Sequence, residues 1–73
     1  MKFAVDLKYE LDGFGVTQFT DINTTRERLP DEIQKWIHKI RMKNGYRDLT
    51  IRSITVNGTE DVTEEVKNTP PQF

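Results

Sequence analysis

The chain is 73 residues long, with 34% apolar residues, 32% charged residues and a net charge of −1. Those proportions describe one ordinary globular domain near the lower size limit for an unaided core. It contains no cysteine, which excludes a disulfide framework and thiolate chemistry, and no apolar run approaches the roughly 20 residues that cross a bilayer.

Charge is spread unevenly. Residues 1–25 hold two lysines and four acids, residues 26–52 eight bases and four acids, and residues 53–73 one lysine and four acids. A basic middle between acidic ends bears on surface potential rather than on fold. The acids of the opening MKFAVDLKYELD interrupt any signal-peptide apolar stretch. Together with the missing cysteine this gives the cytoplasm as the expected location. Without an export signal, Asn57-Gly58-Thr59 reads as a turn and not as a glycan site.

Phe3, Val5, Leu7, Tyr9 and Leu11 alternate with Lys2, Ala4, Asp6, Lys8 and Glu10, the period of a strand with one buried and one wet face. Asp12-Gly13 then supplies a tight hairpin turn. A second strand, about 14–22, folds back on the first in one of two registers. A two-residue loop sets Leu11 opposite Phe14, Tyr9 opposite Val16 and Phe3 opposite Ile22. It buries those three partners, turns Gln18 inward and leaves Phe19 on the outer face. A three-residue loop shifts the pairing by one and buries Phe19 beside Thr17 and Asp21. The first register is preferred because it buries three apolar residues where the second buries one.

The polar stretch DINTTRERLPDE enters a helix over about 30–43. Pro30 suits the first turn, Asp31 and Glu32 suit the dipole, and Thr24 or Thr25 offers a cap if the helix starts a turn earlier. Ile33, Trp36, Ile37 and Ile40 form one apolar stripe, with Trp36 expected to be buried against Leu7 and Tyr9. Asn44-Gly45 ends the helix. Residues 48–57 read as a third strand. Its apolar phase changes between Leu49, Ile51 and Ile54, Val56, so either a bulge near Arg52-Ser53 restores the register or both faces are partly covered. Asn57-Gly58 turns the chain. Asp61-x-x-Glu64 resembles a capping box before a short helical turn carrying Val62 and Val66.

The expected fold is α+β, with order β-β-α-β, a small antiparallel sheet of strand order 2-1-3 and one helix packed on one face. Residues 1–67 make a single domain, and 68–73 are expected to be a disordered tail.

Catalytic chemistry finds little to work with. His38 and Ser53 are the only residues of their kinds, they sit in no motif, and His38 points away from the apolar stripe. One histidine cannot build a structural zinc site. Glu60, Asp61, Glu64 and Glu65 lack the spacing and the glycine of a calcium loop and read as a solvated acidic turn. Gly13-Phe14-Gly15 opens like a dinucleotide loop, but Gln18 stands at the third glycine position and a strand follows. Asp6 and Glu10 share a wet face with Lys8, where nothing desolvates them. No enzymatic activity, metal or cofactor is expected.

At roughly 100° per residue, Lys35, Lys39 and Lys43 line one flank of the helix beside Trp36, and Arg41 lies on the other. This row is chiefly a solvated helix face supported by Asp31 and Glu32. Met42 falls opposite the core, beside the lysines. Two functions follow. In the first, the chain is a non-catalytic module that binds another protein, or a second copy of itself, through an edge strand or the outer sheet face, with Phe19 and Met42 as contact residues. In the second, Lys39, Lys43, Arg47 and Arg52 form a basic edge for nucleic acid. The negative net charge and inward-facing aromatics favour the first. A short α+β chain with no catalytic set has the general look of a small bacterial or phage protein, a look that carries no function.

Overall fold

Strand β1, Lys2–Leu11, forms where the alternation demands it: Phe3, Val5, Leu7 and Tyr9 are buried, while the residues between them are half-buried or exposed. A computed structural model describes residues 1–70. It turns the chain at Asp12-Gly13, where both residues take positive φ, 53° and 82°, as the tightest hairpin turns require. Strand β2, Phe14–Asn23, then pairs Leu11 with Phe14, Tyr9 with Val16 and Phe3 with Ile22. The loop has two residues, so Phe19 lies opposite Asp6 on the outer face.

Helix α1, Leu29–Lys43, starts one residue earlier than expected, without a side-chain cap. Pro30, Asp31 and Glu32 occupy its first turn. Leu29, Ile33, Ile37 and Ile40 are its buried apolar stripe, with Pro30 buried beside them. At its end the Asn44 side chain donates to the Ile40 carbonyl at 2.9 Å, and Tyr46 N–H donates to the Arg41 carbonyl at 2.7 Å. These bonds satisfy carbonyls that the helix leaves open.

Strand β3, Thr50–Val56, runs antiparallel to β1 on its other side. The pairing passes from Lys8–Ser53 to Tyr9–Ile51, so Arg52 is the extra residue of a bulge. That bulge explains the change of apolar phase: Ile51 and Ile54 now stand opposite Tyr9 and Leu7 on the same face. A two-residue strand β4, Glu60–Asp61, and a short helix α2, Thr63–Lys67, complete the chain. The sheet order is β2-β1-β3-β4, all antiparallel, with α1 covering one face. The expected 2-1-3 arrangement therefore holds, extended by β4.

The core joins β1, α1, β3 and α2, with Leu49 and Val62 from the adjoining turns. Strand β2 supplies no fully buried residue. Phe14, expected inside, is 75% exposed, and Val16 and Ile22 only lean on the core. The face is the expected one, but cover runs out towards β2 and the hairpin tip. Asn68 and Thr69, in the stretch expected to be a loose tail, are held by bonds to Glu64, Val66 and Glu65. The rest of that expectation, from 71 to 73, lies outside the described residues.

Arg26, in the turn before α1, bonds Glu60 at 2.7 Å and Glu65 at 2.8 and 2.9 Å. It thereby ties that turn to β4 and α2. The guanidinium holds the Glu65 carboxyl below its ordinary range. Asp61 is also lowered, by the hydroxyl and then the N–H of Thr63, which it partly caps. A carboxylate titrating lower in the folded state stabilises fully above its unfolded range, and that contribution is lost as pH falls through the folded value. The partners are substantially exposed, so Arg26→Ala is expected to remove no more than about 1 kcal/mol at neutral pH. Urea midpoints of both proteins from pH 7 to pH 3 should converge as acid protonates Glu65. A gap that stays constant over that range rules out this assignment.

Candidate interaction surface

The two outer edges of the sheet are built differently. On the β4 side the strand is two residues long and both residues are acidic. Beyond it, Val62 N–H donates to the Ile54 carbonyl at 2.9 Å, and the Thr63 hydroxyl accepts from Ile54 N–H at 2.8 Å. Thr63 is the one buried polar residue of the described chain, and its hydroxyl closes a sheet edge that burial would otherwise leave unpaired.

Among the described residues the β2 edge has no such closure. Thr24 N–H donates to the Met1 carbonyl at 2.8 Å, which sets the phase of the ladder. Even positions of β2 exchange bonds with β1, and odd positions turn their N–H and C=O away from it. Thr17, Phe19, Asp21 and Asn23 therefore present backbone donors and acceptors along a ten-residue strand. Natural edge strands are usually short, bulged or guarded by lysine or proline. The sequence FGVTQFTDIN has none of these guards and one charge, Asp21. The inner strands β1 and β3, which need no guard, carry five charged residues between them.

The same odd positions that expose backbone also place their side chains on the outer face. Phe19 is 65% exposed there, between Thr17 and Asp21. Asp6, across the pair from it, has an Oδ1 shielded from solvent with no hydrogen-bond partner. On the other face, β2 and α1 border an open groove of about 590 Å³. Thr20, Ile22, Lys35, Trp36, Lys39 and Met42 line it. Met42, expected to stand opposite the core, is 48% exposed and looks onto this groove. Phe19 and Met42 thus lie on opposite faces of the sheet, with the free edge of β2 between them.

Trp36 differs from its expected position. It is half-buried and packs on the core from the side while lining the groove. Leu29 takes the fourth fully buried apolar place on the helix. The tryptophan is at the margin of the stripe, where β2 leaves it partly uncovered.

The four basic candidates are not brought onto one edge. Arg47 pairs with Asp12 at the hairpin turn. Arg52 pairs with Glu10 at 2.7 Å, on the face away from Tyr9 and the helix. Lys39 lines the groove on the helix side, and Lys43 is exposed in the last turn of α1. Lys35 bonds Glu32 at 3.3 Å. His38 also borders the groove and is engaged in an interaction of its own. Among the described residues no three His, Asp or Glu side chains gather as metal ligands, and no helix is long and apolar enough to cross a membrane.

Sequence reasoning placed Phe19 but missed the groove and the difference between the edges. The absence of lysine and proline from residues 14–23 was the available signal for the second. Comparison with protein-family models, curated protein sequences and solved structures finds no match to this chain.

The position of Trp36 can be tested against its neighbour. Ile37→Ala, at a fully buried site, is expected to cost about 2–5 kcal/mol. Trp36→Ala should cost less, roughly half of the 3–5 kcal/mol typical of a buried aromatic. Urea melts of the two variants give the comparison, and a larger loss for Trp36→Ala places the indole inside the core.

Proposed function

We propose that this chain is a non-catalytic interaction module that receives an extended segment of a protein partner as an added strand on β2. The observation that supports the reading best is the long, unguarded edge of β2, set beside a second edge that ends in a two-residue acidic strand and is closed at Ile54 by Val62 and Thr63. Backbone bonds to Thr17, Phe19, Asp21 and Asn23 give such a complex its affinity. Side chains of the added strand alternate between the faces. One set meets Phe19 on the outer face, and the other enters the groove beside Ile22, Trp36 and Met42. Those apolar contacts confer selectivity for an alternating sequence.

Nucleic-acid binding has weaker support. Arg47 and Arg52 already have acid partners, and Arg52 and Lys39 lie on opposite faces of the sheet. A phosphate backbone is held by several unpaired cations along one track.

Affinity capture from an extract of the source cells separates the two readings. Wild type and Phe19→Ser serve as baits, with and without nuclease. Phe19→Ser should melt like wild type, since the ring is on the surface, yet lose a partner that survives nuclease and moderate salt. A partner retained by Phe19→Ser but lost on nuclease treatment, with binding that falls steeply as salt rises, supports the basic surface instead.

A further inference from the structure

The edge of β2 can be matched to an occupant through its own sequence. We infer that β2 pairs with β2 of a second copy of this chain, antiparallel about a two-fold axis through Phe19. This rests on the strand-addition reading and names the strand that is added.

An antiparallel strand that pairs with its own copy sets each residue opposite its mirror image across the axis. About Phe19 the sequence VTQFTDI, residues 16–22, is close to symmetric in character. Val16 meets the second copy's Ile22, Thr17 meets Asp21, Gln18 meets Thr20, and Phe19 meets Phe19. Apolar side chains face apolar ones, and polar face polar. The only charge in the strand, Asp21, faces a threonine, so no like charges stand opposite each other.

Backbone phase agrees with this register. The outward N–H and C=O groups belong to odd positions, and an axis at Phe19 sets odd opposite odd. Gly15 pairs with Asn23, Thr17 with Asp21 and Phe19 with itself, which engages almost the full strand in about ten inter-copy hydrogen bonds. On the outer face the two Phe19 rings become neighbours. On the helix side, Val16 of one copy covers Ile22 of the other at the groove beside Trp36. Neighbouring registers do worse. An axis at Gln18 sets Phe19 against Thr17 and Val16 against Thr20, and gains only Phe14 against Ile22. An axis at Thr20 sets Phe19 against Asp21 and Ile22 against Gln18. The β4 edge has no equivalent, because it is two residues long and doubly acidic.

Sedimentation and amide hydrogen exchange on purified protein, over a wide concentration range, test the pairing. The expected particle has twice the 8.6 kDa chain mass, and the amides of Thr17, Phe19 and Asp21 become protected as it forms. Phe19→Lys places two ammonium groups at the axis and should weaken the dimer at least tenfold. Thr17→Asp is the control for folding. Within one chain the new acid stands opposite Lys8 and favours the fold, whereas across the axis it faces the second copy's Asp21. At a concentration where both proteins are monomeric its melt should match or exceed that of wild type, while its dimer dissociates at higher concentration than the wild-type dimer.

A chain that stays monomeric up to millimolar concentration, with those three amides exchanging freely, overturns self-pairing and leaves the edge for another partner. A dimer that leaves those amides unprotected and survives both substitutions is built on another surface and overturns self-pairing, while the strand-addition reading is decided by the capture with Phe19→Ser. A dimer weakened by Phe19→Lys but untouched by Thr17→Asp overturns the Phe19-centred register.

Discussion

Strand β1 is the constraint on which the rest of the fold depends. Both of its backbone edges are bonded, to β2 on one side and β3 on the other, and its four odd side chains from Phe3 to Tyr9 are buried. Its even positions bond towards β3: Asn57 N–H donates to the Ala4 carbonyl, and the Asn57 side chain accepts from Ala4 N–H. A domain of this size buries only about 60% of its unfolded surface. It cannot cover every strand, and the strand that is central in the sheet receives the cover. Helix α1 lies over the sheet and approaches β2, helix α2 packs on α1 and β3, and β2, joined to β1 along its whole length, still contributes no fully buried residue.

From that unequal cover follows the contrast between the edges. The β3 side is finished by side chains as well as backbone. Thr63 bonds Ile54, Asp61 bonds Thr63, and Arg26 reaches across to Glu60 and Glu65. Each of these acts at a position where an unpaired group would otherwise be buried or a short helix left loose. Among the described residues none of that apparatus lies on the β2 side. Its half-covered inner face, its exposed phenylalanines and its free backbone are one continuous feature, produced by the same shortage of cover.

Much of this was legible from local sequence, because the relevant forces are local. Asp12-Gly13 allowed two hairpin registers; the one that turns three apolar residues inward is present, and it places Phe19 outward. The phase change between Ile51 and Ile54 allowed either a bulge or partial cover of both faces, and the bulge at Arg52 is the one present. Periodicity tells which face a residue occupies, however, and not how far the opposite layer extends. Phe14 has the inner phase and is exposed because cover does not reach the hairpin tip. Trp36 has the helical phase of the core and sits at its margin, while Leu29, just outside the expected helix, is buried. The pairs Arg47–Asp12 and Arg52–Glu10 join residues far apart in sequence. Reading a basic edge from charge alone could not anticipate that acids from the first hairpin would meet those arginines.

An uncovered edge strand also exposes a chain to unspecific association, and β2 carries a partial answer to that hazard in the order of its residues. A uniformly apolar strand would pair in several registers with similar energy, because sliding by two residues preserves the faces. In β2 the apolar side chains are separated by threonine, glutamine and aspartate. In the proposed pairing of β2 with its own copy, a slip would set Phe19 against a polar residue and part Val16 from Ile22. The cost of each slip falls on apolar contact rather than on backbone bonds, which are nearly as numerous in any register. Selection among registers, and among competing strands, therefore rests with a few side chains spaced along the edge. Phe19 lies at the centre of that pattern, and no other outer-face position of β2 carries an apolar side chain.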